Sequence, residues 1–107
     1  MRTLIIGAGA LGGLAGARLA TTGARVLYAV RNEAAAHRLK AAGFQISGVG
    51  GPVAVPADDV APLALYPAGL DFDLIVLATK AQEAMEIAPR AARWLAAGGT
   101  LLPIQNG

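Results

Sequence analysis

At 107 residues the chain falls short of the roughly 150 that serve as a soft prior for one domain, so the expected organisation is a single domain or a piece of one, not two. Hydrophobic residues make up 55% and charged residues 15%, against about 25% charged in ordinary globular chains, which excludes intrinsic disorder. A net charge of +2 gives no grounds for a nucleic-acid partner, and the absence of cysteine excludes disulfide scaffolds, thiolate metal sites and cysteine nucleophiles.

Taken in chain order, the apolar run between Arg2 and Arg18 comes first. It is shorter than the roughly 20 residues that span a bilayer, and it is interrupted by Gly7, Gly9, Gly12, Gly13 and Gly16. A signal peptide is a rival, with Arg2 as its basic start and Ala15-Gly16-Ala17 as a small-residue cleavage site. A strand at Thr3–Ile6 followed by a glycine turn and a helix from Ala10 accounts for the segment better, with Gly23 ending that helix after Thr22. Arg25–Val30 is rich in strand formers, and Asn32 is placed to cap a helix over Glu33–Ala42 that Gly43 ends.

Phe44–Ser47 and Pro52–Val55 flank the cluster Gly48-Val49-Gly50-Gly51, which predicts a hairpin or two short strands. Asp58–Gly69, with Pro62 and Pro67, reads as mostly loop with one short strand near Leu63–Tyr66. Asp73–Ala78 is a second buried strand. Ala81–Ala97 has helical composition, with Pro89 expected to kink it or begin a new turn. Gly98-Gly99 ends that helix, and Thr100–Ile104 is the last strand, leading into Gln105-Asn106-Gly107.

Strands that alternate with helices and read as continuous apolar runs predict an α/β fold of the Rossmann type: a doubly wound, mainly parallel sheet between two helical layers. In such a sheet the ligand lies at the carboxyl ends of the strands. Gly7-Ala8-Gly9-Ala10-Leu11-Gly12 fits that position as G-x-G-x-x-G directly after a strand and opening a helix. Gly7 permits the tight turn, Gly9 lets the backbone approach a pyrophosphate, Gly12 lets the helix pack closely on its strand, and the first helical amides point at the anion. Charge agrees, since Met1–Ala57 holds six bases and one acid while Asp58–Gly107 holds three bases and six acids.

The end of the second strand discriminates between cofactors. An NAD-preferring fold places Asp or Glu there to accept from the ribose hydroxyls. Here Arg31 stands in that place, with no acid before Glu33. A guanidinium grips a 2′-phosphate in a two-pronged, charge-assisted contact and offers no acceptor to a free hydroxyl, so NADP is expected over NAD.

On these residues the chain resembles the N-terminal domain of the ketopantoate reductases (2-dehydropantoate 2-reductases), over essentially its whole length. The resemblance is carried by IIGAGALGG at Ile5–Gly13, GARLA at Gly16–Ala20, Arg31, RLKAAGFQI at Arg38–Ile46, DLIVLATKA at Asp73–Ala81 and LPIQNG at Leu102–Gly107. It implies NADPH-dependent reduction of the 2-oxo group of ketopantoate to pantoate, on the cytoplasmic route to pantothenate. It also implies that Gly7, Gly9 and Gly12 hold the pyrophosphate, with Ala8, Ala10 and Leu11 lining the same turn. Arg31 would hold the 2′-phosphate, and Lys80 and Asn106 would face the nicotinamide and the substrate as catalytic residues. One departure stands out: many members carry Gln three residues after the Lys, whereas this chain has Glu83 there and Gln82 before it. In the family the proton donor is a lysine of a second, helical domain beyond the present sequence, so these 107 residues are expected to bind cofactor without turning over.

The remaining candidates read as structural. His37 is expected on a solvated helix face with no metal-ligand partner, Trp94 packing on the sheet, and Asp58-Asp59, Asp71 and Asp73 in turns and caps. With one histidine and no nucleophile elbow, a Ser-His-Asp constellation is not available. Two alternatives stay open at this point: a reductase of the same plan acting on another 2-oxo acid, and a non-catalytic nucleotide-sensing module.

Overall fold

The computed structural model describes residues 2–7, 15–16, 18–19, 22–30, 32–42, 44–46, 53–55, 60–62 and 71–104. Its elements are β1 (Arg2–Ile6), β2 (Arg25–Val30), α1 (Glu33–Ala42), β3 (Phe44–Ile46), β4 (Val53–Val55), β5 (Val60–Pro62), β6 (Phe72–Leu77), α2 (Ala81–Ala91), a 3-10 turn (Ala92–Trp94) and β7 (Leu95–Pro103). Five strands form one sheet in the order β5-β2-β1-β6-β7. Every pairing in it is parallel. β3 and β4 form a separate antiparallel pair, as the hairpin reading expects.

The strand order reverses between β1 and β6, which is what makes the sheet doubly wound. Each central strand is apolar on both sides because helices cover both faces. On one face Leu4, Ile6, Ala29, Ile75 and Leu77 pack with Ala84, Ala91 and Trp94, with Ile87 and Ala88 against them. Ala84, Ile87, Ala88 and Ala91 recur at the three- and four-residue spacing that puts them on one stripe of α2. On the other face Ile5, Tyr28, Val30 and Val76 pack with Ala36 and Leu39 of α1, and with Ala15 from the helical residues after β1. Leu4, Ile5 and Ile75 are fully buried, each worth about 1.5–3 kcal/mol relative to exposure.

Local signals act where the sequence places them. The Asn32 side chain accepts from the Ala35 amide at 2.9 Å, which starts α1 at Glu33. Gly23 takes φ +85°, and the Thr22 amide and hydroxyl both donate to the Leu19 carbonyl, at 3.0 and 2.6 Å, which ends the helical stretch before β2. At the opposite edge from the strand ends, the Arg2 amide donates to Asp73 Oδ2 at 2.8 Å and the Arg2 guanidinium lies 5.4 Å from the Phe72 ring centre. These contacts fasten β1 to β6 where both begin.

Gly16, among the helical residues between β1 and β2, makes possible their approach to the sheet. A Cβ there would overlap the Tyr28 hydroxyl and stand 2.8 and 2.9 Å from ring atoms Cζ and Cε1. Burial pushes the Tyr28 phenol above its ordinary pKa.

Two expectations are corrected. The helix expected over Ala81–Ala97 ends at Ala91, and its 3-10 extension stops at Trp94, so Leu95 already belongs to β7. Phe72 pairs with Leu95 but Leu74 pairs with Thr100, so Ala96–Gly99 bulge out of register with Gly98 at φ +78°. Pairing of Leu95 and Thr100 with β6 on either side of the bulge overrides the helical propensity of Leu95-Ala96-Ala97. Val60–Pro62, inside the stretch read as mostly loop, forms a strand beside β2 at the margin of the sheet, where a proline is tolerated. Leu63–Tyr66, where that reading places a short strand, lie outside the described residues.

Thr3 is fully buried and its hydroxyl has no hydrogen-bond partner. An unpaired buried hydroxyl costs about 1–3 kcal/mol, so Thr3→Val, which keeps the shape, is expected to leave stability unchanged or raise it by about 1 kcal/mol in urea melts. A clear loss of stability would show that the hydroxyl has a partner in solution.

Candidate active site at the carboxyl edge

The parallel register brings the carboxyl ends of the strands to one edge, and backbone bonds just past the strand ends keep them together. The Gly7 amide donates to the Ala29 carbonyl at 2.9 Å, the Ala78 amide to the Ile6 carbonyl at 2.8 Å, and the Ile104 amide to the Leu77 carbonyl at 2.9 Å. Thus β2, β1, β6 and the end of β7 open side by side at the point where the strand order reverses.

At Gly7 the requirement for glycine has two causes. Its φ of +124° is a conformation that side-chain-bearing residues rarely adopt, and a Cβ would come within 2.8 Å of the Ala78 carbonyl oxygen and 2.9 Å of its carbon. The chain therefore turns out of β1 in direct contact with the backbone that leaves β6.

Lys80 is exposed at this edge and is the N-cap of α2, in extended conformation with φ −61° and ψ 153°. Its carbonyl accepts from the Ala84 amide at 2.9 Å, and no side chain caps the helix. The first-turn amides of α2 thus stand beside an ammonium, a combination that favours an anion or a developing oxyanion. Gln82 is exposed and Glu83 partly buried in the same turn. Thr79, between Ala78 and Lys80, is half-buried, and its Oγ1 is buried without a hydrogen-bond partner. No pattern in the sequence singled out this hydroxyl.

Gly7 and Lys80 are thus brought to one edge. Ala8, Gly9, Ala10, Leu11, Gly12, Arg31 and Asn106 lie outside the described residues. The segments leading to two of them end at the same edge: Val30 precedes Arg31, and Ile104 stands two residues before Asn106. His37 is exposed on α1, and Trp94 is buried against the sheet. Among the described residues no cluster of His, Asp or Glu is placed to hold a metal ion, and no helix is long and apolar enough to cross a membrane.

A parallel sheet in this order, with a glycine turn out of its first strand and helices on both faces, defines a Rossmann-type dinucleotide-binding domain. The sequence pattern of the family described as ketopantoate reductase PanE/ApbA matches residues 3–107, and the chain belongs to that family. No curated protein sequence shows significant similarity to it. Among solved structures, it is similar to a Ralstonia solanacearum MolK2 protein assigned as a ketopantoate reductase, at 29% identity and a TM-score of 0.74 over 99% of this chain and 32% of that one. It is similar to the 2-dehydropantoate 2-reductase of Methylococcus capsulatus at 27% identity and a TM-score of 0.74, over 100% of this chain and 34% of that one. A D-mandelate dehydrogenase solved with NADH and anilino(oxo)acetate superposes at a TM-score of 0.81 with 25% identity, over 100% of this chain and 34% of that one. The chain spans about a third of the length of these structures.

Proposed function

We propose that this chain is the nucleotide-binding domain of an NADPH-dependent cytoplasmic reductase that converts 2-dehydropantoate to pantoate in pantothenate biosynthesis. The supporting observation is the carboxyl edge itself, where the Gly7 turn lies against the Ala78 backbone and Lys80 stands exposed beside it. In this reading the whole of residues 1–107 is one domain and the partner that completes the enzyme is a C-terminal helical domain.

A glycine turn that leaves β1 at the carboxyl edge, as Gly7 does, suits a dinucleotide whose pyrophosphate must come close to backbone amides. Gly7, Ala8, Gly9, Ala10, Leu11 and Gly12 would hold that pyrophosphate, and Arg31 the 2′-phosphate. Bound NADPH supplies a hydride to the 2-oxo carbon. Lys80 would stabilise the alkoxide that forms, or hold the carboxylate of the oxo acid, and the Asn106 amide would fix the substrate hydroxyl. The proton that completes the alcohol is assigned to a lysine of the helical domain.

The similarity to D-mandelate dehydrogenase favours a second reading, a reductase of the same plan with another 2-oxo acid substrate. A sensing module is disfavoured because it needs no cation beside the nicotinamide.

Calorimetric titration with NADPH and NADH tests the cofactor. Loss of one charge-assisted phosphate contact is worth about 1.5–3 kcal/mol, so Arg31→Ala is expected to weaken NADPH roughly ten- to a hundredfold and leave NADH nearly unchanged. Equal losses for both would remove Arg31 from the 2′-phosphate.

A further inference from the structure

Among the described residues two threonine hydroxyls are buried without a partner, and their places in the fold differ. Thr3 lies near the beginning of β1 inside the core, while Thr79 lies at the carboxyl edge between the end of β6 and the start of α2. Valine would fill either place without an unpaired polar atom. At Thr79 the residue as a whole is half-buried although its Oγ1 is fully covered, so what it exposes is not its hydroxyl. One rotation about χ1 exchanges hydroxyl and methyl between staggered positions. The hydroxyl would then leave a place where it has no partner for one where a bound molecule can supply it.

We infer that the Thr79 hydroxyl turns outward on cofactor binding to hydrogen-bond the ribose of the nicotinamide half of the dinucleotide. This rests on the dinucleotide-binding reading above. The half is chosen by topology: in a doubly wound sheet the strands on the β2 side of the reversal carry the adenosine half, and those on the β6 side carry the other nucleotide. Thr79 follows β6 and immediately precedes Lys80, so the contact would also fix the ribose beside the ammonium assigned to the reacting end.

The test titrates the 107-residue chain with NADPH and with adenosine 2′,5′-bisphosphate, which carries the adenosine end and lacks the nicotinamide ribose. A neutral hydrogen bond is worth about 0.5–1.5 kcal/mol, so Thr79→Val is expected to weaken NADPH roughly three- to tenfold and leave the bisphosphate unchanged. Thr79→Ser, which keeps the hydroxyl, should bind NADPH within about twofold of wild type, and Thr3→Val should match wild type for both ligands. Unchanged NADPH affinity in Thr79→Val, or equal losses for both ligands, overturns the inference while the dinucleotide site stands. Failure of the wild-type chain to bind either ligand overturns the dinucleotide reading and this inference with it.

Discussion

Replacing Gly7 by alanine is expected to lower the free energy of unfolding by about 2–5 kcal/mol, combining backbone strain with a steric clash. The strain arises because φ at Gly7 is +124°, and the clash because the new Cβ would stand 2.8 Å from the Ala78 carbonyl oxygen. Neither cost is relieved cheaply. The Ala78 amide is tied to the Ile6 carbonyl and the Gly7 amide to the Ala29 carbonyl, so moving one strand end disturbs three. Against a total stability of about 5–15 kcal/mol for ordinary domains, this is a large fraction. Urea unfolding followed by circular dichroism measures it, and a wild-type midpoint in Gly7→Ala would mean that the turn adopts another conformation in solution. Dinucleotide affinity should fall in the same variant, because the strand ends that flank the site would no longer meet.

The second large effect concerns Lys80. In a longer protein, in which this domain is followed by the helical domain expected from the family, Lys80→Ala should lower kcat/KM for the 2-oxo acid by roughly 10²- to 10³-fold, the range seen when one oxyanion donor is removed. NADPH affinity should stay within a few fold, since Lys80 is assigned to the reacting end. The 107-residue chain alone should show no measurable ketopantoate reduction, because a placed general acid contributes about 10²- to 10⁴-fold and the closing of the site against water adds to it. Wild-type kinetics in Lys80→Ala would take the residue out of the site. Turnover by the short chain would place the proton donor within these residues.

The three central strands could be read from the sequence because burial on both faces makes them unbroken apolar runs, and their bounds are reproduced within a residue at β1, β2 and β6. Asn32 and Gly23 were readable for a different reason: capping and termination are local, so a single side chain or a single positive φ decides them. β5 and the start of β7 were not readable. Val60–Pro62 is a strand only because β2 lies beside it, and Leu95–Ala97 is helical by composition, yet Leu95 pairs with Phe72 and Thr100 with Leu74, so the stretch between is held in the strand. The same limit applies at the site. Gly7 and Lys80 stand out through a motif and a resemblance, whereas the covered hydroxyl of Thr79 depends on how β6, α2 and their neighbours close around it.

The bulge in β7 also bears on how molecules of this chain behave toward one another. Among the described strands β7 is the last in the sheet, so one side of its backbone is unpaired, and Leu95–Pro103 contains no charged side chain to repel a second molecule. Leu102, on this strand, is itself exposed. Two features shorten the template: the bulge at Ala96–Gly99 twists away the first part of the margin, and Pro103 has no amide to offer at its end. What remains is the short regular stretch from Thr100, a limited template for a second strand. A lysine introduced at position 102 would guard this margin without entering the core, which makes it the natural choice for preparing concentrated samples.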